Sequence, residues 1–333
     1  MAAVASVVII AGAGAGMVTA RLMSSGEPVN AAAAATESSA VSDAAASTSA
    51  STSASATSTS APDPSPTSGR PRPTASATAT PISPATGAIS PTHGSDSLRG
   101  SFDALVTTLP VQSARSVGVV VAPVGSTDPP IILGLWSVGP AWSTMKVPLS
   151  EAALRQDPGV LPTVRSALTV SDNAAAESLW ATLGSGTAAA AKVDAVLAAH
   201  GDSITQTQAV RVRPPYTPFG QTEWALVDQA RFAQGIACSA QSRTVVSIMG
   251  QVTSSQRWGL GSLPSANFKG GWGPNSTGRY LVRQFGIVTI GGKRVAVAMA
   301  VEPRDGSFGS GTSALSSIAR WLGSQELPGP GRC

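Results

Sequence analysis

Residues 141–148 read Ala141-Trp142-Ser143-Thr144-Met145-Lys146-Val147-Pro148, and the four at the centre, Ser143 to Lys146, decide how the rest of the chain is read. Residues three apart on a helix share a face, so a helix over 144–156 brings Lys146 beside Ser143. A serine hydroxyl is a poor nucleophile until a neighbouring base takes its proton. Lysine serves as that base where burial and nearby positive charge lower its pKa toward neutrality. Pro148 falls within the first turn of such a helix, where proline is tolerated.

Two more short motifs follow in order, Ser171-Asp172-Asn173 and Lys269-Gly270-Gly271-Trp272. The chain has only four lysines and four asparagines, yet two of the lysines and one asparagine fall in these three motifs. Ser171 ends an apolar helical pattern (Leu161, Val164, Leu168, Val170) and Asn173 begins another. A hydroxyl at that junction relays a proton between lysine and a leaving group, and the Asn173 amide holds Lys146 or a substrate carbonyl. Equally, Ser171 or Asp172 caps the helix that starts at Asn173. Lys269 stands at the end of a strand and brings the positive charge that Lys146 needs. Gly270-Gly271 permits close approach by a substrate, or marks a bulge or turn. The Trp272 amide then joins the Ser143 amide as the donor pair for a tetrahedral oxyanion. Ser143, Lys146 and Ser171 are thus the catalytic candidates, and Asn173, Lys269, Gly271 and Trp272 the substrate-binding ones.

Outward from the motifs, segments 116–122 and 131–138 are rich in β-branched residues and enclose a turn-forming run from Pro123 to Pro130, which predicts a hairpin. Apolar spacing predicts a first helix over 97–109 and a helical block over 144–156, 161–168, 173–183, 187–200, 222–237 and 240–252. Strands return at 266–271, 280–290 and 294–301, the last two joined by Gly291-Gly292, and a final helix covers 312–322. This order predicts an α/β domain of the α+β type. A mostly antiparallel sheet of about five strands is flanked by terminal helices, with the helical block inserted between the strands and a cleft where sheet meets helices.

Ahead of this domain, residues 31–91 are nearly all Ala, Ser, Thr, Pro and Gly, a composition too poor in large apolar side chains to offset its ordering entropy. The expected division is a signal or membrane anchor at 1–22, a disordered linker at 23–96, the domain at 97–326 and a tail at 327–333. The first twenty residues are almost entirely apolar, though no Lys or Arg precedes them and Arg21 follows. The alternative is a buried apolar helix. Lys and Arg outnumber Asp and Glu by 22 to 18; no basic-aromatic run points to nucleic acid. Cys238 and Cys333 are too few for a metal cluster or a disulfide scaffold; they pair in an oxidising exterior or stay free. His93 falls in the linker and His200 at the end of an Ala-rich helix, where a cation or cap is expected. No metal or other cofactor is implied.

The three motifs resemble those of the class A serine β-lactamases and the penicillin-binding D,D-peptidases, which share a Ser-x-x-Lys, Ser-x-Asn, Lys-Ser/Thr-Gly plan. The resemblance runs from Leu98 to Leu322 and includes the stretch from Leu168 to Ala175 and Trp258-Gly259-Leu260-Gly261. It implies a β-lactamase/transpeptidase-like fold, with Ser143 acylated, Lys146 the base, Ser171 the relay and Lys269 the partner of a substrate carboxylate. Three departures stand out. Gly270 replaces the hydroxyl residue of the third motif, leaving Arg279 or Arg283 to compensate. Ser143 and Ser171 are only 28 positions apart, which implies a trimmed helical block. No Glu-x-x-Leu-Asn lies between Asn173 and Lys269 to supply a deacylating base. Glu223-Trp224-Ala225-Leu226 is the nearest match, and Glu223 falls where the first turn of the 222–237 helix favours an acidic residue. The expected protein is an exported, monomeric, penicillin-binding or β-lactamase-like serine hydrolase of the cell envelope. It forms an acyl-serine on a β-lactam or a cell-wall peptide or ester precursor. The alternative is a wall-binding or sensory domain that keeps the fold without the catalysis.

Overall fold

The computed structural model describes residues 93–333 apart from Pro328 and Pro330. The signal or anchor expected at 1–22, and the linker expected at 23–96 up to its last four residues, lie outside the described residues. Among the described residues no helix is long and apolar enough to cross a membrane.

The described chain opens with α1 (His93–Val106), β1 (Val117–Pro123), β2 (Ile131–Gly134) and β3 (Val138–Pro140). A helical block follows: α2 (Lys146–Gln156), α3 (Leu161–Thr169), α4 (Asn173–Thr182) and α5 (Gly186–Ala199), then a long loop, 201–221. Next come β4 (Glu223–Ala225), α6 (Leu226–Cys238), α7 (Arg243–Met249), β5 (Asn267–Pro274), β6 (Tyr280–Ile290), β7 (Lys293–Val301) and α8 (Phe308–Gly323). Five strands form one antiparallel sheet in the order β2-β1-β7-β6-β5, and β3 pairs with β4 in a second, two-stranded one. This is the mixed plan that the sequence predicts.

The sheet is apolar on both faces because each face carries a core. Val117, Val119 and Val121 of β1 pack with Leu98 and Phe102 of α1 and Leu315 and Ile318 of α8. Val120 and Ala122 turn the other way, toward the helical block. In β7 the alternation also sorts by size: Val295, Val297, Met299 and Val301 face α8, while Ala296, Ala298 and Ala300 face α6. Small residues there let α6, with Ala230 and Ala233 buried, lie close to the sheet. Gly291 and Gly292 have φ of 56° and 77°, the left-handed pair that a two-residue hairpin turn requires.

Three boundaries depart from expectation. The predicted second strand divides, and its end becomes β3. The predicted helix over 222–237 begins only at Leu226, because Glu223, Trp224 and Ala225 are drawn into pairing with Pro140, Gly139 and Val138. α1 starts at His93, inside the stretch read as linker. Cys238, ending α6, is bonded to Cys333 with Cα atoms 5.2 Å apart. The tail it pins also accepts hydrogen bonds from Arg294 N to Gly331 O (3.0 Å) and from Lys293 Nζ to Leu327 O (2.7 Å).

Candidate active site

The turn that carries Ser143 is held from below by a buried cation. Arg283, on β6 and fully buried, donates through Nη1 to Gly139 O (2.8 Å) and Pro140 O (3.0 Å). Its Nη2 donates to Trp224 O (3.0 Å) and Gln229 Oε1 (2.9 Å), and Gln229 Nε2 donates in turn to Thr144 Oγ1 (3.0 Å). Trp142 then takes the left-handed conformation, φ 50°, which costs a non-glycine residue ~1–2 kcal/mol and recurs at functional sites. The chain makes one 3₁₀ turn, Trp142–Met145, before α2 begins at Lys146. Side chains three apart eclipse in a 3₁₀ turn, which sets half-buried Ser143 on the side of Lys146.

Lys146 is 1% exposed and donates to Asn173 Oδ1 (2.7 Å), to Ser171 O, and at 3.3 Å to Ser171 Oγ. Lys269 reaches the same hydroxyl from the opposite wall: its Nζ donates to Ser171 Oγ (2.9 Å) and to Gly270 O (2.8 Å). Burial, and then the charge of Lys146, hold Lys269 well below the ordinary lysine range. Ser171 is placed by backbone conformation and capping together. Its φ is 62°, and the next residue, Asp172, caps α4 by accepting from Ala175 N (3.1 Å). The structure therefore brings Ser143, Lys146, Ser171, Asn173 and Lys269 to one place, and gives the capping role to Asp172, leaving the Ser171 hydroxyl to the lysines.

Lys269, Gly270, Gly271 and Trp272 lie mid-strand, not at a strand end, and β5 is an edge strand. Gly270 O meets Lys269 Nζ and Pro274 O meets Arg213, so the even-numbered residues turn their backbone groups away from β6. The Trp272 N–H therefore faces the open edge. Gly271 faces the Ser143 turn so closely that a Cβ there would stand 2.9 Å from Ala141 O and Thr144 N and 3.0 Å from Ser143 N. Ser143 N thus lies beside the Gly271–Trp272 peptide, and a pair of such amides suits an oxyanion in the gap between them. Gly271→Ala is expected to slow acylation of Ser143 by ~10²–10³, the loss seen when an oxyanion donor is displaced. Stopped-flow fluorescence with a reporter penicillin reads this, and a rate within a few-fold of wild type would show that the gap is not used.

Gly270 has its own cause. A Cβ there would lie 3.1 Å from the Trp258 ring, which stacks edgewise on Trp272 at 5.9 Å. The space a third-motif hydroxyl would need is filled by indole. Neither arginine suggested as a compensating ligand is placed for that work. Arg283 is the buried anchor just described, and Arg279 Nη2 donates to Pro303 O (3.1 Å) and Arg304 O (2.8 Å).

Loop 201–221 bridges both walls of the cleft. Arg211 Nη2 pairs with Glu177 of α4 (2.6 Å), Arg213 Nη1 donates to Pro274 O of β5 (3.0 Å), and the Tyr216 ring meets Trp142 edge-on at 5.1 Å. Its one acidic residue, Asp202, is consumed structurally, accepting from Trp224 Nε1 (2.8 Å) and the amides of Ile204 (3.2 Å) and Thr205 (3.0 Å). Glu223 lies on β4 opposite Pro140, not in a helical first turn, and is exposed. Though the residue is exposed, partial desolvation of its carboxyl raises its pKa against the pull of Arg283, and it makes no hydrogen bond to the described residues.

Sequence reading did not find the Arg283–Gln229–Thr144 chain or the role of Trp142. It also missed a buried cluster remote from Ser143, in which Glu151 accepts from His200 Nε2 (2.6 Å), Arg155 (2.6 Å) and Ser242 Oγ (2.9 Å). His200 follows the last residue of α5 as expected, yet its side chain serves this cluster.

No family model and no curated protein sequence matches this chain. Solved structures do resemble it. The TLA-1 extended-spectrum β-lactamase is 16% identical with a TM-score of 0.55, covering 69% of this chain and 100% of its own. A β-lactamase from Chitinophaga pinensis is 17% identical with a TM-score of 0.54, covering 68% and 98%. An ancestral class A β-lactamase is 17% identical with a TM-score of 0.51, also covering 68% and 98%. The chain therefore has the fold of the class A β-lactamases, in a divergent form.

Proposed function

We propose that this chain is an exported acyl-serine enzyme of the cell envelope, acting on a β-lactam or a cell-wall peptide or ester, and that it acylates faster than it releases the product. The observation that carries this reading is the Ser171 hydroxyl, set between Lys146 Nζ (3.3 Å) and Lys269 Nζ (2.9 Å). Ser143 Oγ attacks the carbonyl and its proton passes to Lys146 Nζ. The tetrahedral oxyanion rests on the Ser143 and Trp272 amides. As the bond to the leaving nitrogen or oxygen breaks, Ser171 Oγ hands it a proton and is resupplied by Lys146. Release needs a base for water, and loop 201–221 offers none, because Asp202 is already bound. The apolar N-terminal stretch, the linker composition and the disulfide favour export.

Intact-mass measurement after incubation with a fluorescent penicillin tests the proposal. One adduct is expected on the wild type, none on Ser143→Ala, and the adduct should persist after excess penicillin is removed. No adduct, or equal adduct on both proteins, would remove the enzyme reading. Saturable binding to isolated wall material, unchanged in Ser143→Ala, would then favour a non-catalytic wall-binding domain.

A further inference from the structure

We propose that Arg213 is a substrate-binding residue that recognises an anionic group, a carboxylate, on the part of the acyl donor lying along Gly273 and Pro274. The assignment rests on the acyl-serine reading above and adds a specificity to it.

Strand β5 is the ruler. At ~3.3 Å per residue, Lys269 precedes Gly271 by roughly 7 Å and Pro274 follows it by roughly 10 Å. Gly271 abuts Ser143, so a carbonyl under attack lies between two cations, Lys269 on one side and Arg213 on the other. Arg213 is half-buried and its guanidinium is held in a fixed pose. Nη1 donates to Pro274 O (3.0 Å), and the guanidinium carbon lies 5.0 Å from the centre of the Tyr216 ring. Tyr216 in turn leans on Trp142 (5.1 Å), and Trp142 covers Gly273, where a Cβ would come within 2.5 Å of the indole. The guanidinium is thus tied, through two aromatic rings, to the residue immediately before the nucleophile.

Its remaining donors are uncommitted. Nη2 and Nε of Arg213 make no hydrogen bond to the described residues, and no carboxylate among them pairs with it. The contrast with its neighbour is direct: Arg211 is satisfied by Glu177 (2.6 Å), Pro215 O (2.9 Å) and Tyr216 O (3.0 Å). The acceptor oxygen of nearby Asn275 is already engaged, Oδ1 accepting from Thr277 N (2.9 Å) and Arg279 N (3.0 Å). A planar, pre-oriented fork at the rim of a reactive cleft suits a carboxylate, which it can bind through two parallel hydrogen bonds.

Two boronic acids test the assignment on the full chain. Both carry a phenylacetamidomethyl group, and one bears a carboxylate on the benzylic carbon. Each adds reversibly to Ser143: an oxygen–boron bond forms, the serine proton leaves, and the boron becomes a tetrahedral anion. The wild type is expected to bind the carboxylated compound at least ~10-fold more tightly, the range of a charge-assisted pair. Arg213→Ala should abolish that ratio, Arg213→Lys should retain part of it, and Arg213→Glu should invert it, with thermal melting reporting that each variant is folded. Equal affinities in the wild type, or a ratio that persists in Arg213→Ala, overturn the role of Arg213 and leave the acyl-serine reading intact. If the wild type binds neither boronate and forms no penicillin adduct, the acyl-serine reading fails and takes this assignment with it.

Discussion

Lys146→Ala is expected to slow acylation of Ser143 by ~10²–10⁴, the range for losing a positioned general base. Lys269 does not substitute, because its Nζ is bound to Ser171 Oγ and Gly270 O on the far wall. The pH dependence follows from the pair. Burial and the Lys146 charge hold Lys269 below the ordinary lysine pKa of 10.5, so the pair sheds one proton below that value. In the proposed mechanism Lys146 must be neutral to take the Ser143 proton, and Ser171 hydrogen-bonds to both lysines. Wild-type acylation is therefore expected to rise with pH and level off below the lysine range, and Lys146→Ala should be slow and flat across it. The sign for stability is the same. Between the lowered folded-state pKa and 10.5 the unfolded chain binds more protons, so the contribution of Lys269 to stability grows as pH rises through that window. Rates of adduct formation between pH 6 and 10 provide the check. A rate for Lys146→Ala within a few-fold of wild type would assign the base elsewhere.

The parts legible in the sequence were those with strong local periodicity or scarce residue types. The β-branched runs of β1, β6 and β7 read as strands because both faces of the sheet are covered, and Lys146 and Lys269 stood out because lysine is rare here. Other parts depended on distant contacts. Strand β4 is three residues long and its formation is decided by β3, more than 80 positions earlier, so its sequence looked like the start of a helix. Gly270 read as the loss of a donor, but its cause is Trp258, brought alongside by the fold. Arg283 read as a possible ligand for substrate because it lies one strand from the motif; strand alternation turns it inward, beneath Gly139 and Pro140. Loop 201–221 has no periodicity, and its two arginines acquire separate roles only from the walls they reach.

Arg283→Met is expected to destabilise the fold by ~3–5 kcal/mol, the cost of breaking a buried charged network by removing one member. Two effects oppose each other here. Burial without a close carboxylate disfavours the charged guanidinium and pulls its pKa down to about 9, with Glu223 pulling the other way, so a neutral side chain relieves some desolvation. Against this, Gly139 O, Pro140 O, Trp224 O and Gln229 Oε1 all lose their donor. Each buried acceptor left unsatisfied costs roughly 1–3 kcal/mol, so four together outweigh the relief. Urea unfolding measures the loss, and a change below about 1 kcal/mol would mean that water or a backbone shift satisfies the acceptors. The variant also separates positioning from binding. Gly139 and Pro140 lead directly into Trp142 and Ser143, and Gln229 links Arg283 to Thr144 Oγ1 at 3.0 Å. The folded fraction of Arg283→Met should therefore acylate more slowly at saturating penicillin, with little change in the concentration needed to saturate it. Gln229→Met should show the same pattern, and the two changes combined should cost less than their sum, because they break one connection to the Ser143 turn.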